Sequence, residues 1–295
     1  GRVYSQASRV IGNYGMGLTQ HRHGIENVHM LCNLLLMRGM MGKEGAGISP
    51  IRGHSNVQGQ RTVGITEKTE LIPVEKFEEF YGFTVPKEKG LGPAGACEGL
   101  LKGEVKGFVC LGGNFSRAVP DTRRVEEAWR KMRLNVQIST KLNRNHLLTA
   151  EKTYILPCLG RLEKHVENGA EQTVSVEDST ACIHASFGTS EPASKELLSE
   201  PKIIAELAKA PVPGKSTVPW DEWVGDYSKV RDAIERAYPA DFKNYNQRMG
   251  TPGGFHRDIG ASRREWRTET GKANFLVPEG FDVDPDIDTR PSDVL

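Results

Sequence analysis

The chain has 295 residues, 37% apolar and 26% charged, which excludes a disordered polymer and predicts two domains of ordinary size, each able to bury a core. Lys and Arg number 39 against 38 Asp and Glu, a net charge of +1, so no global charge favours a nucleic-acid backbone or an anionic membrane, and any anion site must be local. The longest apolar run, Leu34 to Met37, falls far short of the roughly 20 residues of a membrane span, and the five cysteines at 32, 97, 110, 158 and 182 contain no CxxC pair, which predicts free thiols in a reducing, cytoplasmic compartment and no zinc ribbon or cluster loop.

In chain order, a β-like run from Ser8 to Tyr14 leads into GNYGMG, where Gly12, Gly15 and Gly17 would allow tight backbone beside a ligand. Val28, Leu31, Cys32, Leu35 and Leu36 then recur at helical spacing, with Gly39 at the position of a C-terminal cap. After the loop MGKEGAG (Met41 to Gly47), the stretch RGHSNVQGQRTVGI (Arg52 to Ile65) gathers an arginine, a histidine and several amides in a glycine-broken turn that can add little to a core. Leu91 to Gly99, rich in Gly and Ala, reads as a surface loop.

The clearest unit follows Gly107. FVCL predicts a strand, GGNFSRAVPD a loop, and Val125, Ala128, Trp129 and Met132 a helical stripe; LNVQI predicts a second strand, His146 to Ala150 a short helix, and TYILP a third strand ending at Pro157. This alternation predicts an α/β fold with a parallel sheet and right-handed crossovers, whose ligands lie outside the carboxyl ends of the strands. Two loops fall there, Gly112 to Asn114 and Ser139 to Lys141, and they could hold a nucleotide between them. Further on, TVSVEDS alternates like a strand, PKIIAELAKA reads as a helix, Ala210 to Pro219 as a proline-rich linker and Asp221 to Tyr238 as one helix. EWRTETGKANFLV reads as a hairpin turning at Thr270 and Gly271, and FDVDPDIDTRPSDVL as an acidic, extended tail.

Arg52 carries the sharpest chemistry, because a guanidinium held in a turn offers a planar fork matched to a carboxylate or phosphate. His21, His23 and His29 are loosely spaced, and no Cys or carboxylate completes a ligand set. Cys158, His165, Cys182 and His184 are irregularly spaced, as core thiols and loop histidines would be. No Walker loop or nucleophile elbow is present.

Together, GMGLTQHRHG, ENVHMLCNLLLMRG, MGKEGAG and RGHSNVQGQRTVGI resemble the formate dehydrogenase-like catalytic subunits, which bind molybdenum or tungsten through two molybdopterin guanine dinucleotides. The resemblance implies Rossmann-like parallel sheets with helices on both faces, as part of a multi-domain fold. Residues 1–54 would end a dinucleotide-binding α/β domain, 55–210 form the central molybdopterin-binding domain, and 211–295 supply a linker, helix and hairpin leading to a cap domain outside the chain. By the same resemblance Arg52 orients the substrate carboxylate and His54 tunes the adjacent pterin. Met16, Gly17, Thr19, Gln20 and His21 lie near a pterin, Gly53, Asn56 and Gln58 form the cofactor-contacting turn, and Gly112, Gly113 and Asn114 with Ser139, Thr140 and Lys141 hold a guanine dinucleotide.

No residue of this chain would ligate the metal; the metal-ligating residue and a 4Fe-4S cluster domain are expected in the longer protein. The implied reaction is the two-electron oxidation of formate to carbon dioxide, with an electron-transfer subunit as a partner. The sequence departs from the family pattern at His54, where Gln is usual, and at Phe115, where Pro is usual. These departures leave open a related molybdopterin oxidoreductase acting on another small substrate, and the absence of a metal-ligating residue leaves open a non-catalytic nucleotide-binding fragment.

Overall fold

The computed structural model describes residues 1–210 and 217–279. Most of the proline-rich linker and the acidic tail therefore lie outside the described residues. The chain forms two compact units. The first comprises Gly1–Gln58, Val176–Ile183 and the described residues from Gly254; the second comprises Gly59–Ser175 and His184–Gly253.

In the first unit, strand β1 (Ile11–Tyr14), helix α1 (Gly24–Met37) and strand β2 (Gly47–Pro50) form a right-sized βαβ turn, with β1 and β2 parallel and Ile11 opposite Gly47. Helix α1 stops because Gly39 takes φ 62°, a left-handed conformation that costs a glycine little. Gly39 N–H then donates to Leu36 O and Met40 N–H to Leu35 O, both at 2.9 Å. This is the Schellman pattern, closed by two side chains, Leu35 and Met40, that are each 1% exposed. Gly12 has a packing role: a Cβ there would meet Leu35 Cδ1 at 3.0 Å and Leu31 Cδ1 at 3.2 Å, so its lack of a side chain lets α1 lie close on β1.

The second unit is built on a parallel sheet, β3 (Gly107–Leu111), β4 (Leu134–Ser139) and β5 (Lys152–Pro157), with β4 in the middle. Helices lie on both faces, as the α/β pattern predicts, although the face of β3 that carries Val109 and Leu111 stays open. On one side Val136 and Ile138 pack with Cys158 and with Ile203 of a helix at Glu200–Lys209. On the other, Cys97 and Leu100 from a helix at Pro93–Leu101 join Val125 and Trp129 from a helix at Thr122–Trp129, with Met132, Leu148, Phe108 and Phe115.

The Pro93–Leu101 helix replaces the surface loop expected from its Gly and Ala content. Pro93 sits in its first turn, where a missing N–H costs nothing. Gly99 is there for contact: a Cβ would lie 2.9 Å from Val105 Cγ2. The single helix expected over Asp221 to Tyr238 is two, Trp220–Gly225 and Tyr227–Ala237, because Asp226 leaves helical geometry and its carboxylate accepts the Ser228 N–H at 2.8 Å. Asp226→Ala is expected to lower stability by about 1 kcal/mol, read from the urea midpoint. The expected hairpin also differs. Its turn forms, with Gly271 N–H donating to Thr268 O at 3.1 Å, but no strand flanks it among the described residues. Instead the Asn33 side chain binds Leu276 O at 2.6 Å and Leu276 N–H at 3.2 Å.

A last sheet orders β6 (Val174–Glu177), β7 (Cys182–Ser186) and β8 (Phe255–His256) as β8-β7-β6, with β8 antiparallel to β7. Two protonation equilibria of the second unit bear on its stability. Burial, then Glu200 and Glu163, push the Cys158 thiol from 9.0 up to about 11. Burial pushes the Tyr227 phenol from 10.0 up to about 12, against a hydrogen bond with Ser199 that lowers it. Both groups stay protonated longer in the folded chain than in the unfolded one, so their contribution is complete below the unfolded values and is lost as pH rises through the folded ones. Melting temperature is therefore expected to hold to about pH 9 and to fall between roughly pH 9 and 12, less steeply in Tyr227→Phe.

Candidate functional site

In the first unit the carboxyl ends of β1 and β2 come together. Ile51 N–H donates to Tyr14 O at 2.6 Å, continuing the pairing, and Gly15 lies against Ile51 O. The turn after β1 and the turn after β2 are thereby neighbours, and both carry residues expected to meet a pterin. Met16 and Gly17 open a short helix, Met16–Thr19, with Met16 59% exposed. Gln20 N–H closes it on Met16 O, and a His21 ring nitrogen lies 2.6 Å from Gly17 O. His21 is thus engaged with its own turn. Gly24, at the start of α1, is needed beside this turn, because a Cβ there would overlap Thr19 O at 2.1 Å.

Arg52, Gly53 and His54 are exposed, and among the described residues no hydrogen bond or ion pair engages the Arg52 guanidinium. A fork of donors at the end of a parallel strand is therefore open to an anion. Asn56 and Gln58 hold the turn. Asn56 adopts φ 67°, which Asn tolerates better than most residues; its Oδ1 accepts Glu177 N–H at 2.9 Å, and Gln58 Nε2 donates to Asp178 O at 2.6 Å. Gln58 Oε1 is buried without a partner among the described residues. A separate cleft of about 980 Å³ in this unit is lined by Ile11, Asn13, the 41–50 segment, Ser179 to Ala181 and residues around Arg257. None of the residues nominated from the sequence lines it.

In the second unit the two nominated loops are joined by a residue that sequence reading missed. Asn143 Nδ2 donates to Gly113 O at 2.8 Å, tying the loop after β4 to the loop after β3. Asn143 is itself fixed by a capping box, its Oδ1 accepting Asn145 N–H at 2.9 Å and its N–H donating to His146 Nδ1 at 3.0 Å. Beneath lies a ladder of buried amides. Asn145 Oδ1 accepts Ser116 N–H at 3.0 Å, Asn145 Nδ2 donates to Gln137 Oε1 at 3.1 Å, and Gln137 Nε2 donates to Asn145 O at 2.9 Å. The signal was present in LNVQI, whose two amides sit at alternate positions of a buried strand and so must find partners inside.

Gly112 and Gly113 have φ 69° and 76°, and a Cβ on either would meet nothing within 4 Å. Asn114 Oδ1 is buried without a partner among the described residues. Ser139 Oγ is used locally, donating to Lys141 O at 2.8 Å, while Thr140 and Lys141 are exposed. The nominated residues therefore form two clusters, one in each unit. Among the described residues no group of three or more His, Cys, Asp and Glu is arranged to hold a metal, and no helix is long and apolar enough to cross a membrane.

Comparison with known proteins adds a second kind of observation. No protein-family model matches the chain. It is 47% identical over 283 residues to "Protein YdeP" of Escherichia coli K12, covering 96% of this chain and 37% of that protein. It is 43% identical over 276 residues to "Uncharacterized oxidoreductase Rv2900c" of Mycobacterium tuberculosis H37Rv, covering 92% and 35%. A shorter match, 33% identical over 138 residues, covers 44% of this chain and 20% of the "F420-dependent formate dehydrogenase subunit alpha" of Methanocaldococcus jannaschii. The chain spans about a third of the curated relatives it matches along nearly all its length, and it is a homologue of proteins named as oxidoreductases, with partial similarity to a formate dehydrogenase subunit.

Proposed function

We propose that the chain is part of the catalytic subunit of a molybdenum or tungsten oxidoreductase carrying two molybdopterin guanine dinucleotides, acting on formate. The observation that carries the cofactor assignment is the pairing, at the carboxyl end of β3, of two glycines with open space where a Cβ would be and an adjacent buried carbonyl oxygen, Asn114 Oδ1, without a partner. Such a cradle fits a dinucleotide: bare backbone approaches phosphate or ribose, and the Asn oxygen accepts from a ligand N–H or O–H.

In this reading Gly112, Gly113 and Asn114 hold one dinucleotide, with Ser139, Thr140 and Lys141 beside it. Met16, Gly17, Thr19, Gln20, His21, Gly53, Asn56 and Gln58 form the shell of a pterin. Arg52 binds and orients the substrate carboxylate, and His54 tunes the adjacent pterin. When bound, the metal cofactor supplies the two-electron redox step, while the protein supplies orientation and electrostatics. A 4Fe-4S cluster and the metal-ligating residue belong to the rest of the longer protein, whose partner is an electron-transfer subunit in the cytoplasm.

A second reading keeps the cofactor and changes the substrate. His54 favours it, because an imidazole stands where the family carries an amide, which changes the hydrogen-bonding group offered beside the pterin.

The test is elemental analysis for molybdenum and tungsten, with guanine nucleotide release by acid, on the longer protein purified from a cofactor-producing host. Metal with about two guanine nucleotides per atom is the expected result. Neither metal nor nucleotide would overturn the assignment and leave a nucleotide-free α/β module.

A further inference from the structure

We infer that the outer edge of β3, with the apolar face formed by Val109 and Leu111, receives one more β-strand and its crossover helix from the part of the longer protein outside these 295 residues. The reason is an imbalance within one sheet. Val109 is paired with Val136 and Leu111 with Ile138, so all four share a face. On the middle strand that face is sealed, with Val136 6% and Ile138 0% exposed beneath Ile203. On β3 it is bare: Val109 is 54% and Leu111 50% exposed. The opposite face of β3 is covered, because Phe108 packs 4.5 Å from Trp129 and 5.0 Å from Phe115, ring centre to ring centre.

Among the described residues β3 pairs only with β4, which leaves a row of backbone N–H and C=O groups on its outer edge without a strand. Edges that face water permanently are usually blunted by charge, proline or a bulge. GFVCL has neither a charge nor a proline, and its register with β4 runs without a bulge. Parallel sheets, moreover, are found with both faces covered.

The occupant follows from chain length and connectivity. About 37% of a close relative is accounted for by this chain, so the longer protein has ample further sequence. A parallel neighbour can be reached only by a crossover of about a dozen or more residues, usually a helix. One βα unit thus supplies both missing parts: a strand for the edge and a helix for the bare face beside the Glu200–Lys209 helix.

Hydrogen exchange on the unmodified longer protein tests this. Those β3 amides that point away from β4 are expected to exchange about as slowly as the β4 amides, within roughly tenfold, at every protein concentration. Exchange of the outward amides at unprotected rates would overturn the inference. So would protection that appears only on concentration-dependent self-association, which would assign the edge to a second copy. Val109→Glu in the same protein gives an independent reading: a fall in melting temperature of about 4 °C or more is expected, and an unchanged value would count against a buried position.

Discussion

Trp129→Ala is expected to destabilise the second unit by about 3–5 kcal/mol, the usual range for removing a fully buried large aromatic. The indole is 0% exposed and lies 4.5 Å from the Phe108 ring centre and 6.1 Å from that of Phe115. Few surroundings can collapse into the space, because Phe108 is fixed on a strand and Val125 belongs to the same helix as the indole. Domains of this kind are stable by only about 5–15 kcal/mol, so the variant would sit near the limit of folding. Trp129→Phe should cost much less, since the indole N–H is buried without a partner among the described residues and its loss removes no bond. Urea unfolding followed by circular dichroism separates the two. A loss below about 1 kcal/mol for the alanine variant would show that this cluster does not hold the unit together. Phe115 follows Asn114 directly, so loosening the cluster should also weaken retention of any dinucleotide held by that loop.

The parts of this fold that sequence made legible are those in which a single local rule decides. Gly39 ends α1 because only a left-handed residue closes the helix there, and the alternation of FVCL, LNVQI and TYILP with helical stripes reads directly as a parallel sheet. The misreadings arise where distant packing sets the outcome. Gly95 and Gly99 look like loop residues until Val105 is seen to fill the space above Gly99. Asp226 looks like one more polar position on a helix until its side chain is seen to cap the next one. Asn33 lies within helix α1 yet bonds to Leu276, 243 positions away, a pairing that no window of sequence contains. The candidate site divides in the same way. Arg52 and the glycines at 112 and 113 are visible as residue types that chemistry wants in a turn. Asn143 and Asn145 are not, because their importance lies in the partners they choose: a carbonyl on Gly113 and an amide on Ser116.

Arg52→Ala in the longer protein is expected to lower kcat/KM for formate by about 10²–10³-fold, the scale on which one preorganised donor to a reacting anion is felt. The substitution should leave folding almost untouched. Arg52 is exposed and makes no hydrogen bond or ion pair among the described residues, so a change in stability beyond about 0.5 kcal/mol is not expected. That separation makes the experiment decisive, since a loss of activity cannot be charged to misfolding when the melting temperature is unchanged. Arg52→Lys divides the effect further. It keeps the positive charge and loses the two-pronged geometry, so a partial recovery measures charge alone, and a loss as large as that of alanine measures the fork. If KM rises while kcat holds, Arg52 binds substrate and transition state alike; if both kcat and kcat/KM fall together, its contact forms mainly in the transition state. Turnover and substrate affinity equal to those of the parent protein would remove Arg52 from the site and, with it, the argument that the paired turns after β1 and β2 face the reacting molecule.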